Sequence, residues 1–245
     1  MNRVLVIGAT SAIAEHYARL EAAAGAALFL CGRSGDRLHA IAQDLQVRGA
    51  AKAATAILDV TAFDAHDAAL DAAWAFLGGV DVALLAHGTL PDAAACARDP
   101  ALALREFNTN ATATILLMER LAARLEAQGS GTLVVISSVA GDRGRASNYL
   151  YGSAKAATTA FASGLRQRLR GTGVNVLTVK PGFVDTPMTA AFRKGPLWAR
   201  PEAVARGIRR AVARRAGVVY LPFFWRPVMA LIRAIPEAVF RRVGL

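Results

Sequence analysis

Seven short apolar runs, rich in β-branched residues, recur along the chain at Arg3–Ile7, Ala27–Cys31, Ala53–Leu58, Val80–Ala86, Thr132–Ser137, Val174–Val179 and Val218–Leu221. Between them lie Ala-rich stretches of helical period, which predict helices near 12–24, 35–48, 63–77, 101–128, 148–170 and 201–214. The runs read as continuous apolar strands rather than alternating ones, so both of their faces are expected to be covered. Strands of this kind alternating with helices predict a parallel sheet with helices on each side. Right-handed crossovers then give an α/β, single-domain, doubly wound Rossmann fold with a seven-stranded parallel sheet and ligands at the carboxyl ends of the strands.

The composition of 245 residues, 54% apolar and 19% charged, excludes intrinsic disorder. No apolar run reaches the length that spans a membrane, and the richest tract, 218–232, is broken by Pro222, Arg226 and Pro227. The run Val4–Ile7 is too short for a signal peptide. Two cysteines give no disulfide framework, and Cys31 in its apolar run reads as a buried thiol, so a cytoplasmic location is expected. Charge changes the picture only in the last fifth, since residues 193–245 carry +10 of the net +11. That segment ends in Phe223-Phe224-Trp225 and a stripe of Val228, Leu231, Ile232, Ile235, Val239 and Val243, with Arg233, Glu237 and Arg241 opposite and Pro236 expected to kink it. Two readings stay open for it: a helix lying on the inner face of an anionic membrane, or one packed on its own sheet or a partner subunit. Residues 1–222 are read as the nucleotide-binding and catalytic domain, with 185–200 as a substrate lid, and 223–245 as a basic appendage. The chain has no nucleic-acid reading motif and few aromatics among its basic residues, so no nucleic-acid partner is expected.

The first strand runs into Gly8-Ala9-Thr10-Ser11-Ala12-Ile13-Ala14 and a helix. Such a turn presents backbone N–H groups and a positive helix end to a diphosphate, which makes Gly8, Thr10, Ser11, Ala12 and Ile13 candidate contacts. Ala12 and Ala14 stand where the usual fingerprint has glycine. The second strand ends in Cys31-Gly32-Arg33-Ser34, without the carboxylate that would bind the ribose hydroxyls of NAD. Arg33 can fork onto a 2′-phosphate, with Ser34 adding a hydroxyl, which favours NADP(H) over NAD(H); alternatively Arg33 only opens the next helix. Asp59, followed by Val60, either accepts from an adenine amine or caps the helix that follows. His16, His39 and His66 show no metal-ligand spacing, and no metal site is expected.

Tyr151 and Lys155 stand four apart on one helical face, thirteen residues after Ser138 at the end of a strand. With Ser137-Ser138-Val139-Ala140-Gly141, Asn108-Thr109-Asn110-Ala111 and Pro181-Gly182, this order resembles the short-chain dehydrogenase/reductase family over essentially the whole chain. The resemblance implies hydride transfer between a nicotinamide cofactor and a carbonyl or secondary alcohol. It makes Tyr151 the proton donor or acceptor and Ser138 the hydrogen-bond partner of the carbonyl oxygen. Lys155 becomes the cation for the phenolate and a ribose contact, and Asn110 holds a water in a proton relay behind it. A phenol of ordinary pKa near 10 needs such a cation to work at neutral pH. The resemblance also places Pro181, Gly182, Val184 and Thr186 at the nicotinamide carboxamide.

The chain departs from the family in Leu85-Ala86-His87-Gly88, where Asn-Asn-Ala-Gly is usual. Ala86, His87 and Gly88 remain candidate cofactor contacts, and His87 reads first as a packing or turn residue. The resemblance further implies a homodimer or homotetramer built on the helices near 101–128 and 148–170, with Leu116, Leu117, Leu121, Phe161 and Leu165 available for burial. The tail and the segments around Ser138 and Tyr151 look most like reductases of lipid-linked, polyprenyl-phosphate keto-sugars, with Arg193 and Lys194 available to an anionic substrate group. The alternative is a catalytically weak NADP(H)-binding sensor on the same fold, against which the intact Ser138, Tyr151 and Lys155 argue.

Overall fold

The apolar runs become β1 (Arg3–Ile7), β2 (Ala27–Gly32), β3 (Lys52–Ile57), β4 (Val82–Leu85), β5 (Gly131–Ile136), β6 (Val174–Pro181) and β7 (Val218–Leu221). The computed structural model describes residues 2–242. All strands pair in parallel, in the order β3-β2-β1-β4-β5-β6-β7. β4 starts later than the apolar run predicts, because the Gln128 amide bonds the Val80 backbone N–H and carbonyl. β6 continues to Pro181 because its last residue still lies in register with Leu221. The expectation of strands covered on both faces holds for the middle of the sheet and fails at its edges. β3 and β7 have one neighbour each, and Ile57 on β3 is 73% exposed.

Helices cover both faces. α1 (Ala12–Ala22), α2 (Gly35–Val47) and the later Pro201–Ala213 helix share one apolar layer with Val4, Val6, Leu28, Leu30 and Leu84. α3 (His66–Leu77) and the helices that follow β4 and β5 close the other face over Leu5, Ile7, Phe29, Leu85 and Leu133. The single helix expected near 101–128 is α5 (Pro100–Phe107), a π-helical turn at Asn108–Thr112, and α6 (Ala113–Gln128). A short α4 (Ala93–Arg98) precedes it, unforeseen in the sequence. Asp92 and Asp99 start α4 and α5, each carboxylate accepting two backbone N–H bonds. α7 (Tyr149–Arg168) and α8 (Pro201–Ala213) complete the layers.

The C-terminal segment folds back on the molecule as α9 (Trp225–Ala234) and α10 (Glu237–Phe240). Trp225 and Met229 are buried against Val139, with Tyr220, Phe224, Val228 and Ile232 packed around them. The inward face is therefore 225, 228, 229 and 232, while Leu231 and Val239 of the expected stripe face outward. Val243 lies outside the described residues. Pro236 ends the helix instead of kinking it: α9 stops at Ala234 and Pro236 caps α10. Arg143 holds this end, donating to the carbonyls of Ile232, Arg233 and Ile235 and pairing with Glu237 at 2.7 Å.

The residues expected at a subunit interface are also redistributed. Leu117, Leu121 and Leu165 are buried in the chain's own core, and Leu116 and Phe161 are only half-buried. α6 and α7 use their leucines to cover the sheet, which leaves those three side chains unable to face a partner.

Candidate active site

The chain leaves the middle of the sheet from β1 toward β3 and returns at β4, so the crossovers diverge between β1 and β4. A cleft of about 910 Å³ lies along the carboxyl ends of these strands, where such a reversal leaves room for a ligand. Gly8 makes the first turn with φ +83°, and a Cβ there would run into the backbone of Ala86 and His87. Glycine is required for this approach. The N–H groups of Gly8 and Ala9 both bond the Cys31 carbonyl, at 2.9 and 3.0 Å, which ties the turn to β2. Ser11 precedes α1 without spending its hydroxyl on the helix. The first N–H groups of α1 have no intrahelical partner. Thr10, Ser11, Ala12 and Ile13 line the cleft, while Ala14 is fully buried in the core, so its methyl is absorbed by helix–sheet packing.

At the end of β2, Arg33 lines the cleft rim, whereas Ser34 serves as the N-cap position of α2 and lies outside the lining. The sequence reading missed Arg37, which also lines the cleft and donates to the Thr10 carbonyl at 3.2 Å. The signal was present, since Arg33 and Arg37 are four apart at the start of a helix. Asp59 lines the cleft, but its Oδ1 accepts from the backbone N–H and hydroxyl of Thr61, at 2.9 and 2.7 Å, which holds its carboxyl below the ordinary range. Val60 is buried beside it, and its carbonyl meets His66 Nε2 at 2.8 Å. A dinucleotide fits this half: N–H donors and two guanidinium groups line it, and the β2–α2 turn contributes no carboxylate to the cleft.

The other half is built by β5, α7 and the turn after β6. Ser138 follows β5 and its Oγ accepts from the Ala140 N–H at 3.0 Å, which bends the chain into a tight turn at Val139–Gly141. A Cβ on Gly152 would sit 2.8 Å from the Ala140 carbonyl, so glycine lets this turn press on α7 and fixes Ser138 relative to Tyr151. Burial pushes the Tyr151 phenol up to about 12, and the Ser138 hydroxyl offsets part of that rise. Lys155 is buried, donates to the Ile136 carbonyl at 3.1 Å and lies 5.7 Å from the centre of the Tyr151 ring. Burial pulls its ammonium down to about 8. Pro181, Gly182, Val184 and Thr186 line the cleft opposite, and the Trp225 ring packs so closely on Gly182 that no side chain fits there.

Asn110 is tied into the fold by its own hydrogen bonds. It sits in the π-helical turn, away from the cleft lining. Its Nδ2 donates to Thr89 Oγ1 and the Glu106 carbonyl, and its Oδ1 accepts from the Thr89 N–H. Its own carbonyl receives the hydroxyls of Thr114 and Thr158 at 3.2 and 3.3 Å. This arrangement braces the loop after β4, and a Cβ built on Gly88 would meet both the Asn110 Oδ1 and the Lys155 Nζ.

Ala86, His87 and Gly88 line the cleft. His87 Nε2 meets the Thr114 hydroxyl at 2.9 Å, that hydroxyl also reaches the Asn110 carbonyl at 3.2 Å, and His87 Nδ1 is buried without a partner. Desolvation and the nearby Lys155 charge push this imidazole down to about 3, which keeps it neutral.

Two features outside the cleft hold the turn at Val139–Gly141. Asp142 and Lys180 form a buried ion pair, and Tyr220 donates to Asp142 at 2.7 Å. Arg143 joins the same turn to the end of α9. Over the cleft, Met188, Phe192 and Trp198 line the mouth, with Phe183 stacked on Trp198 at 5.4 Å. Of the two cations expected to meet a substrate anion, Lys194 is paired with Asp185 and Arg193 lies outside the lining.

A family model for the short chain dehydrogenase matches residues 2–196. The chain therefore belongs to the short-chain dehydrogenase/reductase family, oxidoreductases that use a nicotinamide cofactor. It is 40% identical over 240 residues to an uncharacterized oxidoreductase of Mycobacterium tuberculosis, covering 98% of this chain and 96% of the other. An uncharacterized oxidoreductase of Streptomyces coelicolor is 39% identical over 241 residues, covering 98% and 95%. Among solved structures, a short-chain type dehydrogenase/reductase from Mycobacterium ulcerans superposes with TM-score 0.79 at 24% identity, covering 89% of this chain and 87% of that one. An actinorhodin polyketide ketoreductase variant, solved with NADPH, gives TM-score 0.80 at 23% identity, covering 89% and 95%. At that identity the likeness speaks for the fold. No helix among the described residues is long and apolar enough to cross a membrane.

Proposed function

We propose that this oxidoreductase is an NADPH-dependent carbonyl reductase. The observation that carries the reading is Ser138, Tyr151 and Lys155 facing one cleft that runs on to the Gly8 turn, Arg33 and Arg37. Gly8, the Thr10–Ile13 turn and Ser11 hold the diphosphate, Arg33 and Arg37 the 2′-phosphate, and Lys155 the nicotinamide ribose. A bound nicotinamide supplies the hydride. Tyr151 is neutral at physiological pH and carries the proton for the carbonyl oxygen, while Ser138 orients that oxygen by a hydrogen bond. The Lys155 cation stabilises the phenolate left behind until solvent returns a proton. Segment 185–200 closes over the reacting groups with Met188, Phe192 and Trp198. The enzyme acts as a homo-oligomer.

Fluorescence titration tests the cofactor half. NADPH is expected to bind about tenfold or more tightly than NADH, because one charge-assisted contact contributes about 1.5–3 kcal/mol; Arg33→Ala narrows the difference and Arg33→Ala with Arg37→Ala removes it. Equal affinities would refute the assignment. The same titration against pH reads Lys155. Its pKa is depressed from 10.5 to about 8, so it is charged below that value, and NADPH binding weakens as pH rises through about 8. Lys155→Met loses this dependence.

A second reading concerns the substrate's carrier. Phe223 and Leu231 are 81% and 71% exposed beside the basic C-terminal residues, which supports attachment to anionic membrane and reduction of a lipid-linked keto-sugar. Phe223→Ser with Leu231→Ser spares the buried Trp225 cluster and is expected to abolish co-sedimentation with phosphatidylserine vesicles. Failure of the native protein to sediment at low salt would reject the reading.

A further inference from the structure

Several arginines that are partly withdrawn from solvent have visible employment. Arg3 pairs with Asp81, Arg143 with Glu237, and Arg166 bonds Val176, Thr178 and Gly217. Arg145 is different. It lines the cleft, and its guanidinium makes no hydrogen bond or ion pair with any described residue. Its Nε is buried without a partner. A guanidinium keeps its charge at any physiological pH, so this is a partly desolvated cation facing a ligand space.

Its surroundings sharpen the point. The Asn148 N–H bonds the Arg145 carbonyl at 3.1 Å, closing a turn that brings the two residues together just ahead of α7. Asn148 also lines the cleft, and its Oδ1 is likewise buried without a partner. Tyr151 follows one helical turn later. The carboxylates within reach of the cleft are committed elsewhere: Glu106 to the Thr89 hydroxyl, Asp59 to Thr61, Asp185 to Lys194. An orphaned donor and an orphaned acceptor thus belong to one turn that lines the cleft just ahead of the proposed proton donor. Unmet buried polar groups of this kind are what a ligand satisfies.

We propose that Arg145 is the specificity-determining residue for the substrate, binding an oxyanion, carboxylate or phosphate, on the carbonyl compound, while Asn148 accepts from a neighbouring hydroxyl or amine. The proposal rests on the reductase reading of the cleft and names its substrate class: an anionic keto compound with an apolar body against the Phe192 and Trp198 wall. Planar fork geometry suits either oxyanion. No part of the hydride or proton transfer is assigned to Arg145.

The test is calorimetric titration of the NADP-saturated protein with phenylglyoxylate, its methyl ester and phenacyl phosphate. The acid or the phosphate is expected to bind about tenfold or more tightly than the ester, and which of the two wins identifies the oxyanion. Arg145→Gln brings the ratio close to one, and Arg145→Lys keeps part of it. Asn148→Asp puts a negative charge on the same cleft-lining turn and is expected to lower the preference, without altering the arginine. Equal binding of acid and ester by the native protein, an unchanged ratio in Arg145→Gln, or no binding of either anion would overturn the proposal. Failure of the reductase reading looks different: no NADPH consumption with any of the three probes, while the Arg145-dependent preference persists.

Discussion

Tyr151→Phe is expected to lower carbonyl reduction by about 10²–10⁴-fold while leaving NADPH affinity within a few-fold of the native value. The substitution keeps the ring and removes the proton that the proposed mechanism hands to the carbonyl oxygen. Burial holds that phenol neutral well past physiological pH, so in the reducing direction the group is always loaded. Its weakness is the product, a phenolate in a buried site, and this is what Lys155 is placed to offset. Single-turnover rates at saturating NADPH measure the effect directly. If the phenylalanine variant kept a large share of the native rate, another group would have to be the donor.

Asp142→Ala is expected to cost about 3–5 kcal/mol of stability, the largest loss anticipated for a residue that touches no ligand. The carboxylate and the Lys180 ammonium are 3% and 8% exposed, so removing one strands the other without solvent. Tyr220 loses its acceptor as well; its phenol, held up at about 12 by burial and by Asp142, is left unbonded. The double variant Asp142→Ala with Lys180→Met is expected to recover much of the loss, because no uncompensated charge remains. Urea unfolding of the two variants decides between an ion-pair effect and a general repacking defect. Equal losses in single and double variants would mean the pair is incidental. Reduction should also fall in the single variant, since Asp142 ends the turn that Ser138 begins.

How much of this was legible in the sequence differs by kind of residue. Strands β1 and β2 lie almost where the apolar runs put them, because buried parallel strands must be apolar along their whole length. The Gly8 turn, Arg33, Ser138, Tyr151 and Lys155 were equally visible, as local spacings attached to strand ends. Arg37 was overlooked although its spacing from Arg33 was in plain view. What spacing along the chain leaves open is which side chain each polar or aromatic group meets once the loops close. Asn110 reaches Thr89 and Glu106, Lys194 reaches Asp185, and the tail stripe divides because Trp225 finds Gly182 and Arg143 finds the end of α9.

The sequence by itself determined the layered fold, the family and the candidate residues of the cleft, since periodicity and short spacings act along the chain. Only the tertiary structure decided which polar groups are already satisfied. A side chain's charge is written in the sequence, but its availability depends on what folding places beside it. Lys194 and Asp142 were spent in this way, and Leu117, Leu121 and Leu165 went to the core. Arg145 was left over for the same reason: no carboxylate among the described residues comes close enough to pair with it.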